Sequence, residues 1–480
     1  VHEFSTVIVE ASNIVSPHSR RKSTRRASSL PVAILGGGIT GLTAAWHLHQ
    51  AKVPVKVFEA APTPGGVIIS TRQEGWLQES GPNSMLEGSA EVTALIEAVG
   101  LNPRRLYAAD SAKNRYVMRD GKLVAMPISP MAFVMTKLFS LQAKLNLLGE
   151  PWRAKAPADL EESVGAFVKR RLGQEFLDYA INPFVGGVYA GDPYKLSVTH
   201  GFPKLHALEQ EHGSLIRGAL KRRNTSGGPK DRILSFPEGL AELPLALAAA
   251  LGDAVRCSQR VTTVRRVDQH WEITSGIDGT QVTESFSSVV CALPAAALAA
   301  IKFEAVPGSE RLSELIDIEH PPVTSVFVGY RREQVAHPLD GFGLLVPEVE
   351  QRRMLGVLFS STLFPNRAPD GHVALTLFIG GVRAPELAKL DDVALRKLVS
   401  EELGELLGVK GEPVRFSVVR WPRAIPQYTL GYARFKTIFT QVETGTPGLY
   451  FGGNARDGIS LANCIESGRR LANAAGAVKS

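Results

Sequence analysis

Gly36, Gly38 and Gly41 stand in a G-x-G-x-x-G turn, Gly36-Gly37-Gly38-Ile39-Thr40-Gly41, and Glu59 follows it. Each residue type suits one part of a dinucleotide. Gly36 permits a tight turn, Gly38 lets backbone approach a pyrophosphate, and Gly41 lets a helix pack close to a strand. N–H groups and a partial positive charge at a helix N-terminus suit the phosphates. The Glu59 carboxylate can accept hydrogen bonds from a ribose diol. Such a site needs a strand before the glycines, a helix after them and a strand ending at the acid. The chain supplies all three: an apolar run at Val32–Leu35, a helical pattern from Leu42 to His49, and a second apolar run from Val53 to Phe58. The glycines alone are equally those of an ordinary βα turn. The register of strands, helix and acid is what points to a dinucleotide.

A chain of 480 residues exceeds one core and implies two or three domains. Its apolar and charged fractions, 44% and 21%, are those of a soluble globular protein. The net charge of +7 is uneven, because Arg20, Arg21, Lys22, Arg25 and Arg26 lie together in a stretch without acids. No aromatic residues interleave with them and no nucleic-acid motif accompanies them, which argues against a nucleic-acid partner. Residues 1–30 read as a disordered basic tail or as an organellar transit segment. Cys257, Cys291 and Cys464 are far apart, with neither metal-ligand nor disulfide-framework spacing, so no metal is expected and a reducing compartment fits. No apolar run reaches the roughly 18 residues of a membrane span, no secretory signal is visible, and Leu243–Leu251 is expected to be a core helix. The histidines at 200, 206, 212, 270, 320, 337 and 372 form no cluster with acids, so no side chain presents itself as a catalytic base.

Further along, Gly65-Gly66 precedes an expected strand at Ile68–Thr71 and the turn residues Gly81-Pro82-Asn83-Ser84. Arg115–Arg119 and Lys122–Pro127 read as a hairpin about Asp120-Gly121. Residues 129–225 are helical by pattern. Within them Met131–Leu141, Leu145, Leu147, Leu148 and Trp152 alternate with Lys137, Lys144, Arg153 and Lys155. That mixture suits a membrane interface or a helical subdomain packing on itself. The glycine-rich Asn182–Pro193 is expected to interrupt the helices and bring backbone near a ligand. Strands are expected at Val261–Val267, Trp271–Thr274, Val289–Leu293, Val323–Tyr330, Leu344–Val346, Leu355–Phe359 and Val373–Ile379, and a helix at Leu390–Leu407. Leu449–Asn454 and Ile459–Ala475 form a second strand–glycine–helix unit. There is no internal repeat.

Several more specific blocks occur in a fixed order: Asn182–Pro193 with Lys195-Leu196-Ser197; Leu208-Glu209-Gln210 with Gly213-Ser214; Phe359-Ser360-Ser361 with Phe364-Pro365-Asn366-Arg367-Ala368-Pro369; Trp421–Gln427; and Gly452-Gly453-Asn454 with Gly458-Ile459-Ser460-Leu461. With these the chain resembles the oxygen-dependent protoporphyrinogen oxidases of the FAD-linked amine oxidase and phytoene desaturase superfamily, from about Val32 to the C-terminus. The resemblance implies an α/β fold: a Rossmann-like FAD-binding domain of the flavin amine oxidase type, a mixed α+β substrate domain and a helical membrane-binding subdomain. The implied divisions are a tail at 1–30, FAD-binding parts at 31–105, 231–300 and 431–480, substrate parts at 106–128 and 301–430, and the helical part at 129–230.

The resemblance also implies non-covalent FAD, with these contacts: Gly36, Gly37, Gly38, Ile39, Thr40 and Gly41 at the pyrophosphate; Glu59 and Ala60 at the adenosine ribose; Gly66 and Val67 by the phosphates; Gly81, Pro82, Asn83 and Ser84 near the flavin; Val261 at the adenine end; and Trp421, Ile459, Ser460 and Leu461 at the isoalloxazine. The family's basic residues after the ribose acid are absent from Ala60–Pro64, and Arg72 is a possible replacement. The implied reaction removes six hydrogens from protoporphyrinogen IX in three two-electron rounds, with dioxygen as acceptor and hydrogen peroxide as product, in heme or chlorophyll biosynthesis. Arg115 would hold a propionate, Phe342, Leu344 and Phe359 would flank a pyrrole ring, and Gly187 would let backbone approach the macrocycle. Implied partners are the tetrapyrrole, dioxygen, a membrane surface bound peripherally and, as an open point, the next enzyme; monomer and homodimer both remain. The membrane would be a plastid or mitochondrial one if residues 1–30 are a transit segment, and the bacterial inner membrane otherwise. Three alternatives stay open: oxidation of coproporphyrinogen III, another FAD amine oxidase or desaturase, and a non-catalytic dinucleotide-binding module.

Overall fold

The computed structural model describes residues 30–157, 159–225, 232–277 and 279–477; the expected tail lies, apart from Leu30, outside the described residues. Val32–Leu35 forms the centre of a five-stranded parallel sheet in the order Val255–Arg256, Val55–Phe58, Val32–Leu35, Ser288–Cys291, Leu449–Phe451. All four residues of Val32–Leu35 are fully buried because both faces are covered. Val32 and Ile34 enter one hydrophobic cluster, Ala33 and Leu35 the other. The chain thus returns to one sheet from three distant stretches. The first helix is Ile39–Gln50, opening at the glycine turn, and the second strand begins at Val55. The C-terminal helix Leu461–Ala477 crosses the first helix at Gly468, where a Cβ would stand 2.6 Å from the Thr40 carbonyl oxygen. Leu243–Leu251 is a core helix as expected, with Leu243, Leu247 and Leu251 buried.

A second sheet has seven strands, in the order Arg415–Trp421, Val323–Arg331, His372–Gly380, Gly356–Leu358, Gly341–Leu345, Asn114–Arg119, Lys122–Ala125. The expected hairpin about Asp120-Gly121 forms its far edge. Val326, Leu344, Val357 and Leu377 share one face and make a core with Leu395 and Leu403 of the helix Asp392–Leu407. Register puts Arg115, Leu345, Leu358, Phe378 and Trp421 on the opposite face. A four-stranded sheet of Thr280–Phe286, His270–Ile277, Arg260–Val267 and Lys302–Glu304 flanks the parallel one. Thr280–Phe286 escapes the sequence pattern because its residues are largely exposed and carry no apolar alternation.

The stretch from Pro130 to Thr225 is mostly helical. Ser129, Ser140 and Ser163 each cap a helix by accepting the N–H three residues on. Arg171 and Glu150 form an ion pair with both side chains fully buried, and Glu209 receives Arg170 as well as Arg171. Asn182–Pro193 interrupts the helices only in its second part, Ala190–Pro193. Asn182–Tyr189 is itself a helix, with Pro183 in its first turn, where a missing N–H costs nothing. Its glycines serve packing, since a Cβ on Gly187 would meet Leu345 Cδ2 at 2.5 Å. The helix therefore lies against the face of the seven-stranded sheet that carries Arg115 and Leu345. Among the described residues no helix is long and apolar enough to cross a membrane.

Candidate functional site

The glycine turn makes a cradle at the first helix's N-terminus. Gly36 adopts φ +105°, and a Cβ there would meet Ala292 O at 2.6 Å. A Cβ on Gly41 would lie 1.9 Å from Gly36 O, so only glycine closes the turn. Gly38 is different: a Cβ there would meet nothing within 4 Å. Gly66, left-handed at φ +62°, passes close to it: a Cβ on Gly66 would lie 3.4 Å from Gly38 Cα. Gly65 N–H donates to Gly37 O at 2.8 Å and holds the two glycine segments side by side. Ile39 and Thr40 are buried behind the cradle, while Val67 is exposed beside it.

Glu59 stands at the end of its strand. Its Oε2 accepts Gly37 N–H at 2.8 Å and its Oε1 accepts Ala61 N–H at 2.7 Å. Each oxygen keeps a second lone pair, the one a ribose hydroxyl would use. Ala60 is exposed next to it. Ser258 and Gln259 donate backbone N–H groups to Ala61 O and Glu59 O, so Val261 follows directly from this end of the cradle, at an irregularity in its strand. Arg72 does not fill the place of the absent basic residues. Its strand, Ser70–Gln73, turns it to Glu238 and to the carbonyl oxygens of Pro237 and Asn366.

The flavin-side loop is Gly81–Ser84. A Cβ on Gly81 would lie 2.0 Å from Val67 O, so this loop rests on the segment after Gly66. Asn83 Nδ2 donates to Gly81 O at 3.1 Å, and Pro82 and Ser84 are half-buried around it. The Trp421 indole donates to Ser80 O at 2.9 Å, bringing the seven-stranded sheet to the loop. From the other side come Gly452–Ser460. Gly453 adopts φ +102°, and its N–H is accepted by Asp457 and Ser467. Asp457 also binds Arg470 at 2.9 Å. Asp457 was not anticipated; an acid inside a glycine-rich loop was the available signal. Ser460 Oγ caps the last helix through Asn463 N–H at 3.1 Å, with Ile459 before it and Leu461 opening it. Cradle, acid, loop and second helix N-terminus together fit an elongated dinucleotide carrying a flavin. That cofactor would supply a two-electron acceptor.

Cys464 sits in the same helix, buried, with Sγ toward Gly458 O at 3.7 Å. Burial pushes its thiol up to about 11, so it is not a thiolate at neutral pH. Acid precipitation should therefore release all of the flavin into the supernatant; yellow colour kept in the pellet would show a covalent link.

The substrate residues divide. Arg115 is exposed, with its guanidinium 5.6 Å from the centre of the half-buried Phe342 ring. Gly187 is exposed on the helix that faces them. Leu344 and Phe359 correct the sequence expectation: they are 2% and 0% exposed and point into the core on the sheet's other face. Their neighbours Leu345 and Leu358, half-buried, occupy the Arg115 face instead. Arg383, near Gly186, is turned to Val346 O and Asn182 Oδ1, and burial holds its pKa below the usual arginine value.

The family of flavin-containing amine oxidoreductases matches residues 39–475, and the chain belongs to it. It is an FAD-dependent oxidoreductase. Among its relatives, the mitochondrial protoporphyrinogen oxidase of Nicotiana tabacum is 34% identical over 481 residues, covering 94% of this chain and 95% of that one. The coproporphyrinogen III oxidase of Bacillus subtilis (strain 168) is 28% identical over 471 residues, covering 91% and 96%. A solved structure of a candidate protoporphyrinogen oxidase from Exiguobacterium sp. 255-15 matches with a TM-score of 0.76 at 24% identity, over 93% of this chain and 98% of that one, and shares the fold.

Proposed function

We propose that this chain oxidises a porphyrinogen to the porphyrin with dioxygen as final acceptor, and that protoporphyrinogen IX is its preferred substrate. The observation that carries this is the sheet face that runs from Arg115 past Leu345, Leu358 and Phe378 to Trp421 beside the flavin loop. Leu345, Leu358, Phe378 and Trp421 line that face, with Thr376 and Ser325 buried among them and the exposed Arg115 guanidinium toward one edge. A flat apolar macrocycle with few carboxylates suits such walls. The roles follow from position. Arg115 binds a propionate in its plane, which a guanidinium does with two parallel hydrogen bonds. Leu345, Leu358 and Phe342 hold the ring against the sheet, and Gly187 lets its helix pack on Leu345 beside it. The relatives' names support both porphyrinogens. Coproporphyrinogen III carries four carboxylates, for which this face supplies too little positive charge. The test is kcat/KM for the two porphyrinogens, prepared anaerobically. A ratio of roughly tenfold or more in favour of protoporphyrinogen IX is expected, the size of one unpaired charge contact. A preference for coproporphyrinogen III would overturn the choice.

The same reading includes peripheral attachment to a membrane. Met131, Met135, Leu141, Leu148 and Trp152 are 71%, 74%, 73%, 66% and 79% exposed and cluster in a short stretch of helices. Lys137 and Lys155 lie in that stretch. Apolar side chains edged by cations suit a headgroup boundary. The protein is expected to pellet with membranes and to be released by detergent. Full solubility without detergent, together with indifference to liposomes, would contradict it. The resulting membrane would be a plastid or mitochondrial one, the compartments in the names of the plant relatives.

A further inference from the structure

The Phe364–Pro369 block is absent from the substrate face, yet it contains Arg367, one of the largest side chains in the protein to be almost wholly buried, at 2% exposure. Arg367 follows the short helix Ser360–Leu363. Its Nη2 donates to Ser235 Oγ at 2.7 Å, and its guanidinium lies 3.7 Å from Glu79 Oε1. Glu79 is equally buried, and it accepts Leu240 N–H at 2.9 Å and Ser70 Oγ at 2.5 Å. Burial raises the Glu79 carboxyl above its ordinary value, and Arg367 is the cation that opposes this. Removing one member of such a pair leaves an uncompensated charge, whereas removing both does not.

The position of the pair is what gives it a function. Glu79 is followed directly by Ser80, held by Trp421, and by Gly81–Ser84. Arg367 O accepts Leu77 N–H at 3.2 Å, two residues before Glu79. A small cavity lined by Glu79, Asn83, Arg367, Phe327, Ser360 and Thr376 lies directly behind the loop. Phe327 and Thr376 share a lateral row with Arg115 and Leu358 on the substrate face. The pair therefore joins the loop expected at the flavin to the sheet expected to hold the substrate.

We infer that Arg367 and Glu79 are positioning residues for the flavin: the buried pair fixes the loop Ser80–Ser84 at the height from which it meets the ring. Neither touches substrate. The inference rests on the reading that Gly81–Ser84 borders the flavin. It gives a specific double-mutant signature. Arg367→Met should retain FAD, because the pyrophosphate cradle is untouched. It should displace the visible absorption bands of the bound flavin, shift its midpoint potential and lower kcat about tenfold, with KM changed less than about twofold. Arg367→Lys should recover much of this. Glu79→Gln combined with Arg367→Met should be closer to wild type than Arg367→Met alone, since the orphaned carboxylate is gone.

The experiment is to purify wild type, Arg367→Met, Arg367→Lys, Glu79→Gln and the double variant Glu79→Gln/Arg367→Met with added FAD, then record absorption spectra, midpoint potentials and thermal melts. Identical flavin spectra and potentials in all FAD-loaded variants would overturn the inference, even if melting temperatures fell. Strictly additive effects in the double variant would overturn it too. If Arg367→Met is too unstable to purify, the Glu79→Gln spectrum and potential decide the matter, and values identical to wild type count against the inference. A wild-type protein that binds FAD yet oxidises no porphyrinogen would sink the proposed function and leave these spectral predictions standing.

Discussion

Gly38→Val is expected to yield a folded, colourless protein. Most glycine replacements in this turn cannot separate cofactor loss from misfolding. A Cβ on Gly41 would sit 1.9 Å from Gly36 O, and Gly36 itself is left-handed. Gly38 has φ −76° and ψ 177°, extended values that valine adopts readily. Its Cβ would touch no protein atom within 4 Å. The added methyl groups would instead project into the open space at the N-terminus of the first helix, where Gly38 stands. A phosphate kept out of that space forfeits charge-assisted bonds and the helix-terminus field, together roughly 3 kcal/mol or about a hundredfold in affinity. The check is the ratio of flavin to protein absorbance after gel filtration, with a thermal melt without added FAD alongside. A yellow variant would remove the pyrophosphate from this cradle.

Arg115→Ala is expected to raise KM with little change in kcat. A charge-assisted hydrogen bond contributes roughly 1.5–3 kcal/mol, and an exposed position draws the low end of that range. The expected rise in KM is therefore roughly tenfold, at about 1.4 kcal/mol per decade. The propionate contact is the same before and during hydride loss, so its removal weakens ground state and transition state alike. Arg115→Lys should restore only part, because an ammonium cannot bind two oxygens in one plane. FAD content should stay constant, since the residue lies at the far side of the sheet from the glycine cradle. A large fall in kcat with unchanged KM would place Arg115 at the reacting atoms. No change in either would place the substrate elsewhere.

The cofactor half of the site is largely legible in the sequence. Glycine spacing, the flanking apolar runs and an acid at a strand end each carry a local physical requirement, and the structure meets them at Gly36, Gly38, Gly41 and Glu59. Helix caps at Ser129, Ser140 and Ser163 are local in the same way. The substrate half depends on which way strands face. In a strand a shift of one residue exchanges the two faces. Leu344 and Phe359 are each one residue from the side chains on the Arg115 face, which are Leu345 and Leu358. Nothing short of the sheet register distinguishes them, because Leu344-Leu345 and Leu358-Phe359 are apolar at both positions. Asn182–Pro193 shows another limit. Its glycines suggest loop, yet Gly186 and Gly187 are helical, and close packing on Leu345 requires the lack of a side chain at Gly187. Arg367 and Glu79 meet only through the tertiary fold, so local sequence gives no sign of their pairing.

The central claim is that one bound flavin carries a porphyrinogen through its whole oxidation at the expense of dioxygen. The most direct test is to mix the FAD-loaded protein with anaerobically prepared protoporphyrinogen IX, admit dioxygen, and follow porphyrin fluorescence and hydrogen peroxide together. Six hydrogens leave in pairs, so three molecules of hydrogen peroxide should accompany each porphyrin, and neither should appear above the uncatalysed rate before dioxygen enters. Porphyrin formation no faster than that of the Gly38→Val protein, or peroxide appearing without porphyrin, would contradict the account.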